Sequence, residues 1–254
     1  MTKIFNRNRD VIQKSFSLVD LNETGNVVIP RYVRVNTIKA NIKVVCDHFD
    51  HSGLSNYKID PTCPNLLVFP PMTDLHTHPL YTQGRVVLQD KASCLAAHLL
   101  KPPLHAHVID CCAAPGNKTS LLCATMKNSG RVFAFDIDSE RVQVLQRQMT
   151  LFGCSSATVL HKDFLSVDPN DPSFDQVTHI LVDPSCSGSG CVGDIFEGWN
   201  YRTRIRSLRA FQRRILIHAL SFPSVRRVIY STCSINVEEN EHVVQFVCIW
   251  VFYD

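Results

Sequence analysis

From residue 107 onward, short apolar runs alternate with longer stretches in which apolar residues recur at helical spacing. The short runs predict five β-strands, at 107–110, 131–136, 157–161, 179–183 and 227–232. The longer stretches predict helices at 118–126, 138–152, 205–219 and 238–250. This alternation is typical of a parallel sheet with helices on both faces, so the sequence predicts an α/β fold.

The first hundred residues follow a different pattern. Apolar segments predict strands at 30–37 and 65–71, an amphipathic helix at 38–49 and a further helix at 88–100 that leads into the main sheet. Proline and histidine are frequent between Asp60 and Pro79. We therefore expect a small N-terminal α/β appendage over residues 1–80 and a main domain over residues 81–254.

Residues with useful chemistry recur where the five main strands end. These are the turn CCAAPGNKT after the first strand, Asp136 after the second, Asp163 after the third, Asp183 and Cys186 after the fourth, and Cys233 after the fifth. Ligands of parallel sheets bind at the carboxyl ends of the strands. Neighbouring strands lie about 5 Å apart, so Cys186 and Cys233 could face one pocket.

Each of these features also has an ordinary structural interpretation. The turn lacks the G-x-G-x-x-G pattern of dinucleotide sites, and Gly116 to Thr119 match only the tail of a phosphate-binding loop. Asp136 suits hydrogen bonding to ribose hydroxyls, or it could cap the following helix, a task that Asp138 or Ser139 could perform instead. Free cysteines are mostly buried and inert.

The composition narrows the class of protein. The chain has 254 residues, 45% of them hydrophobic, which is enough for a sizeable core. The eleven cysteines are an odd number without C-x-x-C spacing, which favours free thiols in a reducing compartment and no metal site. The longest apolar run, VVQFVCIWVF, is shorter than the roughly 20 residues that span a bilayer, so no membrane partner is expected.

A basic segment follows the fourth strand. Eight arginines and no acidic residue lie between Tyr201 and Val237. Like charges on one segment repel each other, and arginine binds phosphate well, so we expect an anionic partner such as an RNA backbone. The candidate contacts are Arg202, Arg204, Arg206 and Arg209.

Taken together, the motifs DCCAAPGNKT, FAFD, KDFL, DPSCSGSG and YSTCSINVEENE resemble those of the Sun-domain RNA cytosine-5 methyltransferases. Upstream, PRYVRVNT, LLVFPPMTDLHTHPLY and LQDKASC look like the fifth subgroup of that family. The resemblance implies a Rossmann-like class I methyltransferase sheet. It also implies S-adenosyl-L-methionine as cofactor, and large-subunit ribosomal RNA or a pre-ribosome as partner. A nucleolar location and a monomer are expected.

The resemblance also implies roles for individual residues. Cys233 would be the nucleophile that adds to carbon 6 of cytosine, and Cys186 would assist product release. Asp183 would lie between the methyl donor and the cytosine, with Lys118 also near the base. The remaining assignments concern S-adenosylmethionine: its methionine part would be held by Cys112, Ala113, Ala114, Pro115, Gly116, Asn117 and Lys118, its ribose by Asp136 and its adenine by Asp163.

The C-terminal tail FVCIWVFYD departs from the family pattern. We therefore expect the sheet to lack its last strands, with the fifth strand at or near an exposed edge. An alternative function is a catalytically inactive, truncated RNA-binding fragment. Calorimetric titration with S-adenosylhomocysteine separates the two functions, because absence of binding favours the fragment.

Overall fold

The computed structural model describes residues 2–6, 12–14, 20–21, 27–191 and 199–253, with side chains over 29–191 and 200–249. The strands are β1 (Thr2–Asn6), β2 (Ile12–Lys14), β3 (Asp20–Leu21), β4 (Val27–Val28), β5 (Arg31–Val35), β6 (Lys58–Ile59), β7 (Leu66–Phe69), β8 (Val86–Leu88), β9 (His107–Asp110), β10 (Arg131–Asp136), β11 (Ala157–His161), β12 (Val177–Val182) and β13 (Arg227–Ser231). The helices are α1 (Ile42–His51), α2 (Pro79–Thr82), α3 (Lys91–Leu100), α4 (Asn117–Thr125), α5 (Ser139–Phe152), α6 (Trp199–Leu220) and α7 (Glu241–Tyr253). None of the described helices is both long and apolar enough to cross a bilayer.

The main sheet has seven strands in the order β11-β10-β9-β12-β13-β1-β2. Its strands β9 to β13 run parallel, as the sequence predicted. Strands β9, β10 and β11 have the predicted bounds, while β12 begins two residues earlier than expected. The strand order reverses between β9 and β12, and ligands of such sheets bind at this reversal.

Helices cover both faces of the main sheet because its strands are apolar on both sides. In β10, Val132 and Ala134 pack with α3, α4 and α5, whereas Phe133 and Phe135 pack with the cluster that includes α6 and α7. All four side chains are at most 5% exposed. The two cores fix the positions of the strands, and therefore also the positions of the loops at their carboxyl ends.

The expectation of an exposed edge at the fifth main strand was wrong. The N-terminal strand β1 pairs antiparallel with β13 along its whole length, from Thr2 opposite Ser231 to Asn6 opposite Arg227. Strand β2 then pairs antiparallel with β1. An N-terminal hairpin therefore covers the side of β13 that the sequence pattern had left open.

A smaller antiparallel sheet, in the order β6-β7-β5-β8, lies upstream of the main domain. Helix α1 packs on it through Val45 and Phe49, which contact the buried side chains of Val33 and Phe69. We call residues 29–89 the small subdomain. Its strands β6 and β8 and its helix α2 were not predicted from the sequence.

Two buried polar side chains join the small subdomain to the main domain. Arg34 is 2% exposed, and its guanidinium donates to Gln89 Oε1 at 2.6 Å and to Ser120 Oγ of α4 at 2.7 Å. The amide of Asn36 donates to the carbonyl of Phe152, at the end of α5, at 2.9 Å. The small subdomain is therefore anchored on the two helices that flank the turn after β9.

Candidate active site

The turn between β9 and α4, residues 111–116, is built from small residues held close to the neighbouring strand. The Ala113 N–H donates to Phe135 O at 2.8 Å, and the Ala114 N–H donates to the Asp136 carboxylate at 3.2 Å. Gly116 has φ of 110°, and a Cβ there would lie 2.7 Å from Met149 Cε. The positive φ favours glycine at this position, and no side chain caps the start of α4, so the N–H groups of its first turn could bind an anionic ligand.

Asp136 is 4% exposed at the end of β10. Its carboxylate pairs with Arg141 Nη2 at 3.2 Å and accepts from the Asp138 N–H at 3.1 Å. Arg141 also donates to Ala114 O at 2.8 Å, so the acid and the turn are fixed as one unit. The cap of α5 is Asp138, which accepts from two backbone N–H groups of the first turn. Asp136 is therefore not the helix cap.

Asp163 lies just beyond β11 and is half-buried. One carboxylate oxygen accepts from the Leu165 N–H at 2.9 Å and caps a short 3₁₀ turn at Phe164–Ser166. The acid thus has a local structural partner at the position where the resemblance implies adenine recognition.

Lys118 and Asp183 form an ion pair between α4 and the loop after β12. Lys118 Nζ lies 2.6 Å from Asp183 Oδ2, and Ser231 Oγ donates to Asp183 Oδ1 at 2.6 Å. Burial alone lowers the pKa of Lys118, but the charge and hydrogen bond of Asp183 hold the pKa above its usual value. Burial also raises the pKa of nearby Asp110 to about 7, an effect that the charge of Asp183 reinforces. The pair presents a fixed carboxylate and ammonium beside the turn.

The two predicted cysteines are in contact. Cys186 follows β12, Cys233 follows β13, and their Sγ atoms lie 3.1 Å apart. Cys233 is exposed and Cys186 is half-buried. The hydrogen bond from Cys233 lowers the pKa of the Cys186 thiol to about 7, and the same bond raises the pKa of Cys233. The hydrogen bond therefore favours the thiolate at Cys186 and the thiol at Cys233, with Cys191 as a third thiol beside Cys233.

The Gly/Ser tract after Cys186 has one open and one crowded glycine. Gly188 has φ of 73°, and a Cβ there would meet no other part of the protein within 4 Å, so the space beside it is open. At Gly190 a Cβ would lie 2.8 Å from Cys233 O, and the Gly190 N–H donates to that oxygen at 2.9 Å. The close approach between the two thiol loops is therefore at Gly190.

Three of the four candidate arginines line one cavity of about 480 Å³ next to the thiol loops. They are Arg202, Arg206 and Arg209, and Asn236 and Glu238 close the cavity on the side of Cys233. Arg204 is exposed on α6 outside this lining. Asn236 also donates to Ser187 Oγ at 3.0 Å, so the cavity and the thiol loops share a wall.

Sequence reasoning assigned no role to Glu239, a buried carboxylate between the two thiol loops. Its side chain accepts hydrogen bonds from Ser187 in one loop and from Ser234 in the other. The only signal in the sequence is the acidic group of Glu238, Glu239 and Glu241, which by itself predicts a solvated helix start.

The chain has a Rossmann-like fold of the kind found in methyltransferases. A methyltransferase homologue from Pyrococcus horikoshii superposes with a TM-score of 0.71 at 27% identity, over 85% of this chain and 68% of that chain. The structure of NSun6 from the same organism superposes with a TM-score of 0.76, over 86% of this chain and 79% of that chain. Its identity is 19%, so it supports the fold alone.

Two family profiles match the sequence. The family described as 16S rRNA methyltransferase RsmB/F matches residues 97–248, and the ferredoxin-like domain of NOL1/NOP2/Sun domain family member 5 matches residues 54–89. The chain belongs to the Sun-domain family of RNA cytosine-5 methyltransferases. The resemblance drawn from the motifs is thereby confirmed.

Curated relatives agree with this assignment. The chain is 46% identical to the 28S rRNA (cytosine-C(5))-methyltransferase of Mus musculus, over 94% of this chain and 55% of that protein. It is 45% identical to the 25S rRNA (cytosine-C(5))-methyltransferase NSUN5 of Arabidopsis thaliana, over 86% of this chain and 40% of that protein. The chain thus spans about half the length of these relatives.

Proposed function

We propose that this protein methylates carbon 5 of a cytosine in RNA, with S-adenosyl-L-methionine as the methyl donor and large-subunit ribosomal RNA as the substrate. The observation that carries the proposal is the contact of the Cys186 and Cys233 thiols, 3.1 Å apart, at the ends of adjacent parallel strands. The ion pair of Lys118 and Asp183 lies beside them. The relatives named as 28S and 25S rRNA methyltransferases support the choice of substrate.

The strand-end turn fits the proposed methyl donor. Cys112, Pro115 and Asn117 of the turn are at least partly exposed, and Gly116 stands where any side chain would strike α5. Asp136 offers a buried carboxylate at the next strand end, a position suited to ribose hydroxyls. Asp163 and Asp183 complete the acidic rim. When bound here, S-adenosylmethionine supplies an electrophilic methyl group.

Carbon 5 of cytosine is a weak nucleophile, and the residues of the chain would activate it. The Cys233 thiolate adds to carbon 6, which makes carbon 5 electron-rich enough to take the methyl group. The Asp183 carboxylate, held by Lys118 and Ser231, would accept a hydrogen bond from the amino group of the ring and orient the base, and the Lys118 ammonium beside it would offset the negative charge that the addition puts on the ring. A solvent base then takes the carbon 5 proton, the electrons of that bond restore the double bond between carbons 5 and 6, and the Cys233 thiolate leaves.

The contact between the two thiols gives each a part in this sequence. The hydrogen bond favours the thiolate at Cys186, so in the proposed reaction Cys233 becomes the thiolate by passing its proton to Cys186 across 3.1 Å. After methyl transfer, Cys186 lies beside the carbon–sulfur bond that must break. This position supports its role in product release.

The arginine cavity supports binding of the RNA backbone. Arg202, Arg206 and Arg209 converge next to the loop of Cys233, so a phosphate bound there would lie near the target nucleotide. The base must leave its stack to reach the thiols, and single-stranded or remodelled RNA permits this at the lowest cost. Such a substrate would place the protein in the nucleolus.

A methyl-transfer assay on ribosomal RNA with Cys233→Ala tests the proposed nucleophile. We expect the rate to fall at least about a thousandfold, because the covalent step is removed. Cys191→Ala, which removes an exposed thiol nearby, is the matched control, and retained binding of S-adenosylhomocysteine shows that both variants are folded. Undiminished transfer by Cys233→Ala would contradict the assignment.

A further inference from the structure

Glu239 is a fully buried carboxylate in the short turn that precedes α7, with 0% of its surface exposed. It touches neither thiol, and the proposed reaction assigns it no step. A buried carboxylate is costly unless its charge is met by hydrogen bonds or a partner charge. The groups that meet this one belong to the two loops that carry the thiols and to Gln212 of α6.

The first set of contacts reaches the loop of Cys186 from both sides. Glu239 accepts from the Ser187 N–H at 2.9 Å and from the Ser187 hydroxyl. Gln212 of α6 donates to Glu239 Oε1 at 3.0 Å and to Ser185 O at 3.1 Å. The residues before and after Cys186 are thus tied, directly or through one amide, to a single carboxylate.

The second set of contacts reaches the loop of Cys233. The Ser234 hydroxyl donates to Glu239 Oε2 at 2.6 Å, and the Asn236 amide donates to the same oxygen at 3.1 Å. The Tyr230 hydroxyl of β13 donates to the backbone oxygen of Glu239 at 2.6 Å, which fixes the turn to the strand. Burial by itself raises the pKa of Glu239, but the hydrogen bonds from Ser187 and the other donors hold it below its usual value. The carboxylate therefore stays charged.

We propose that Glu239 is a positioning residue that holds the two thiol loops in register, so that the sulfur atoms of Cys186 and Cys233 stay in contact. The expected effect of Glu239 on methyl transfer rests on the proposed function, whereas its effect on the contact between the two sulfur atoms does not. Donors from both loops converge on the two oxygens of one side chain. Neutral hydrogen bonds also join the loops, between the Ser187 and Ser234 hydroxyls at 3.2 Å and from the Gly190 N–H to Cys233 O at 2.9 Å, and Glu239 is the charged group on which donors from both loops meet.

Replacing Glu239 by glutamine separates positioning from simple packing. The side chain keeps its volume, but one acceptor oxygen becomes an NH₂ group, which faces the Ser187 N–H and the Gln212 amide if it replaces Oε1, or the Asn236 amide if it replaces Oε2. Two N–H donors cannot hydrogen-bond each other, so we expect the loops to move apart. Glu241→Gln is the matched control, since it makes the same change two residues along at the start of α7.

The geometric readout is oxidation of the thiol pair by diamide, an azo oxidant that takes two electrons and two protons from two thiols to form one disulfide. The Cys186–Cys233 disulfide is quantified by mass spectrometry of unreduced peptides, in a Cys191→Ser background because Cys191 also lies beside Cys233. We expect Glu239→Gln to slow this disulfide at least tenfold and Glu241→Gln to leave its rate unchanged. Disulfide formation at the unaltered rate in Glu239→Gln would overturn the proposal.

The kinetic readout is methyl transfer. We expect kcat of Glu239→Gln to fall about 100-fold, as for a misplacement of about 1 Å, with little change in KM for S-adenosylmethionine. If Glu239→Gln does not fold, Ser234→Ala removes one donor to Glu239, together with an acceptor for Ser187 and for the Asn236 N–H, and a several-fold slower disulfide is expected. An unchanged rate there also overturns the proposal. The two proposals can fail separately. If the unsubstituted protein transfers no methyl group, the proposed function is refuted. If Glu239→Gln still slows disulfide formation in that case, the positioning role of Glu239 stands.

Discussion

At the scale of single residues, the site depends on a proton shared between two sulfur atoms. Cys186 alone has the features of a nucleophile: it follows an acid and a proline on a turn, and its pKa is lowered to about 7. That pKa is low because Cys233 donates a hydrogen bond to it. The acidity of Cys186 is thus a property of the pair, and it is compatible with attack by Cys233.

The pH dependence of alkylation at Cys186 follows from this arrangement. Iodoacetamide reacts with the thiolate, so its rate at Cys186 should rise through pH 7 in the parent protein. In Cys233→Ala the donor is absent, the pKa of Cys186 rises toward about 8.5, and alkylation at pH 7 slows several-fold. Mass spectrometry of the labelled peptide gives both curves.

Cys46→Ser, at a remote thiol of the small subdomain, should leave the curve of Cys186 unchanged. An inflection that stays near pH 7 in Cys233→Ala would mean that another group stabilises the Cys186 thiolate.

Residues of the candidate active site could be predicted from the sequence only where they lie at strand ends. Asp136, Asp183, Cys186 and Cys233 were found because the ends of parallel strands meet at one edge. Glu239 was not found, because its burial depends on loops about fifty residues apart that close over it. No local pattern distinguishes it from Glu238, which is exposed.

At the scale of elements, local periodicity predicted the five parallel strands and the helices between them. Strong alternation of short apolar runs and helical stretches is a local signal, so the bounds of β9, β10 and β11 agree with it. Strand β1 could not be predicted in this way. Its partner β13 is more than 200 residues away in the sequence, and the segment TKIFN carries no strand signal of its own.

The pairing of β1 predicts that the N-terminus contributes to stability. Ile4 lies opposite Ile229 in β13 and opposite Ile12 in β2, so its strand is paired on both sides. Ile4→Pro removes a donor from the ladder and should lower the melting temperature by about 4–8 °C, for a loss of about 2 kcal/mol. Thermal unfolding followed by circular dichroism measures the change.

Ile4→Val, which keeps the backbone donor, should melt within about 2 °C of the parent. Equal melting temperatures for the proline and valine variants would show that β1 does not pair with β13 in solution.

At the scale of the whole molecule, the small subdomain and the methyltransferase domain act on the same turn. Arg34 of β5 donates to Ser120 Oγ, and more weakly to Asn117 O at 3.4 Å, so it supports the first turn of α4 from behind. That turn carries Lys118 on its other side. The packing of the small subdomain against α4 is thereby linked to the proposed cofactor site.

Arg34→Met tests this link. The change leaves Gln89 and Ser120 without their buried donor, at a cost of about 2–3 kcal/mol, so the melting temperature should fall by about 5–10 °C. Calorimetry should also show weaker binding of S-adenosylhomocysteine, because α4 loses a support. Arg31→Met is the control on the same strand, since Arg31 donates to Thr73 O within the small subdomain. Cofactor affinity equal to that of the control would contradict the link.

The central claim is that Cys233 attacks the base and Cys186 releases the product, and a trapped adduct tests it most directly. Cys186→Ala is incubated with ribosomal RNA and S-adenosylmethionine, and the products are separated on a denaturing gel. We expect a covalent protein–RNA band to accumulate in Cys186→Ala and to vanish in the Cys186→Ala, Cys233→Ala double variant. A band that persists without Cys233, or that forms in Cys233→Ala alone, would contradict the claim.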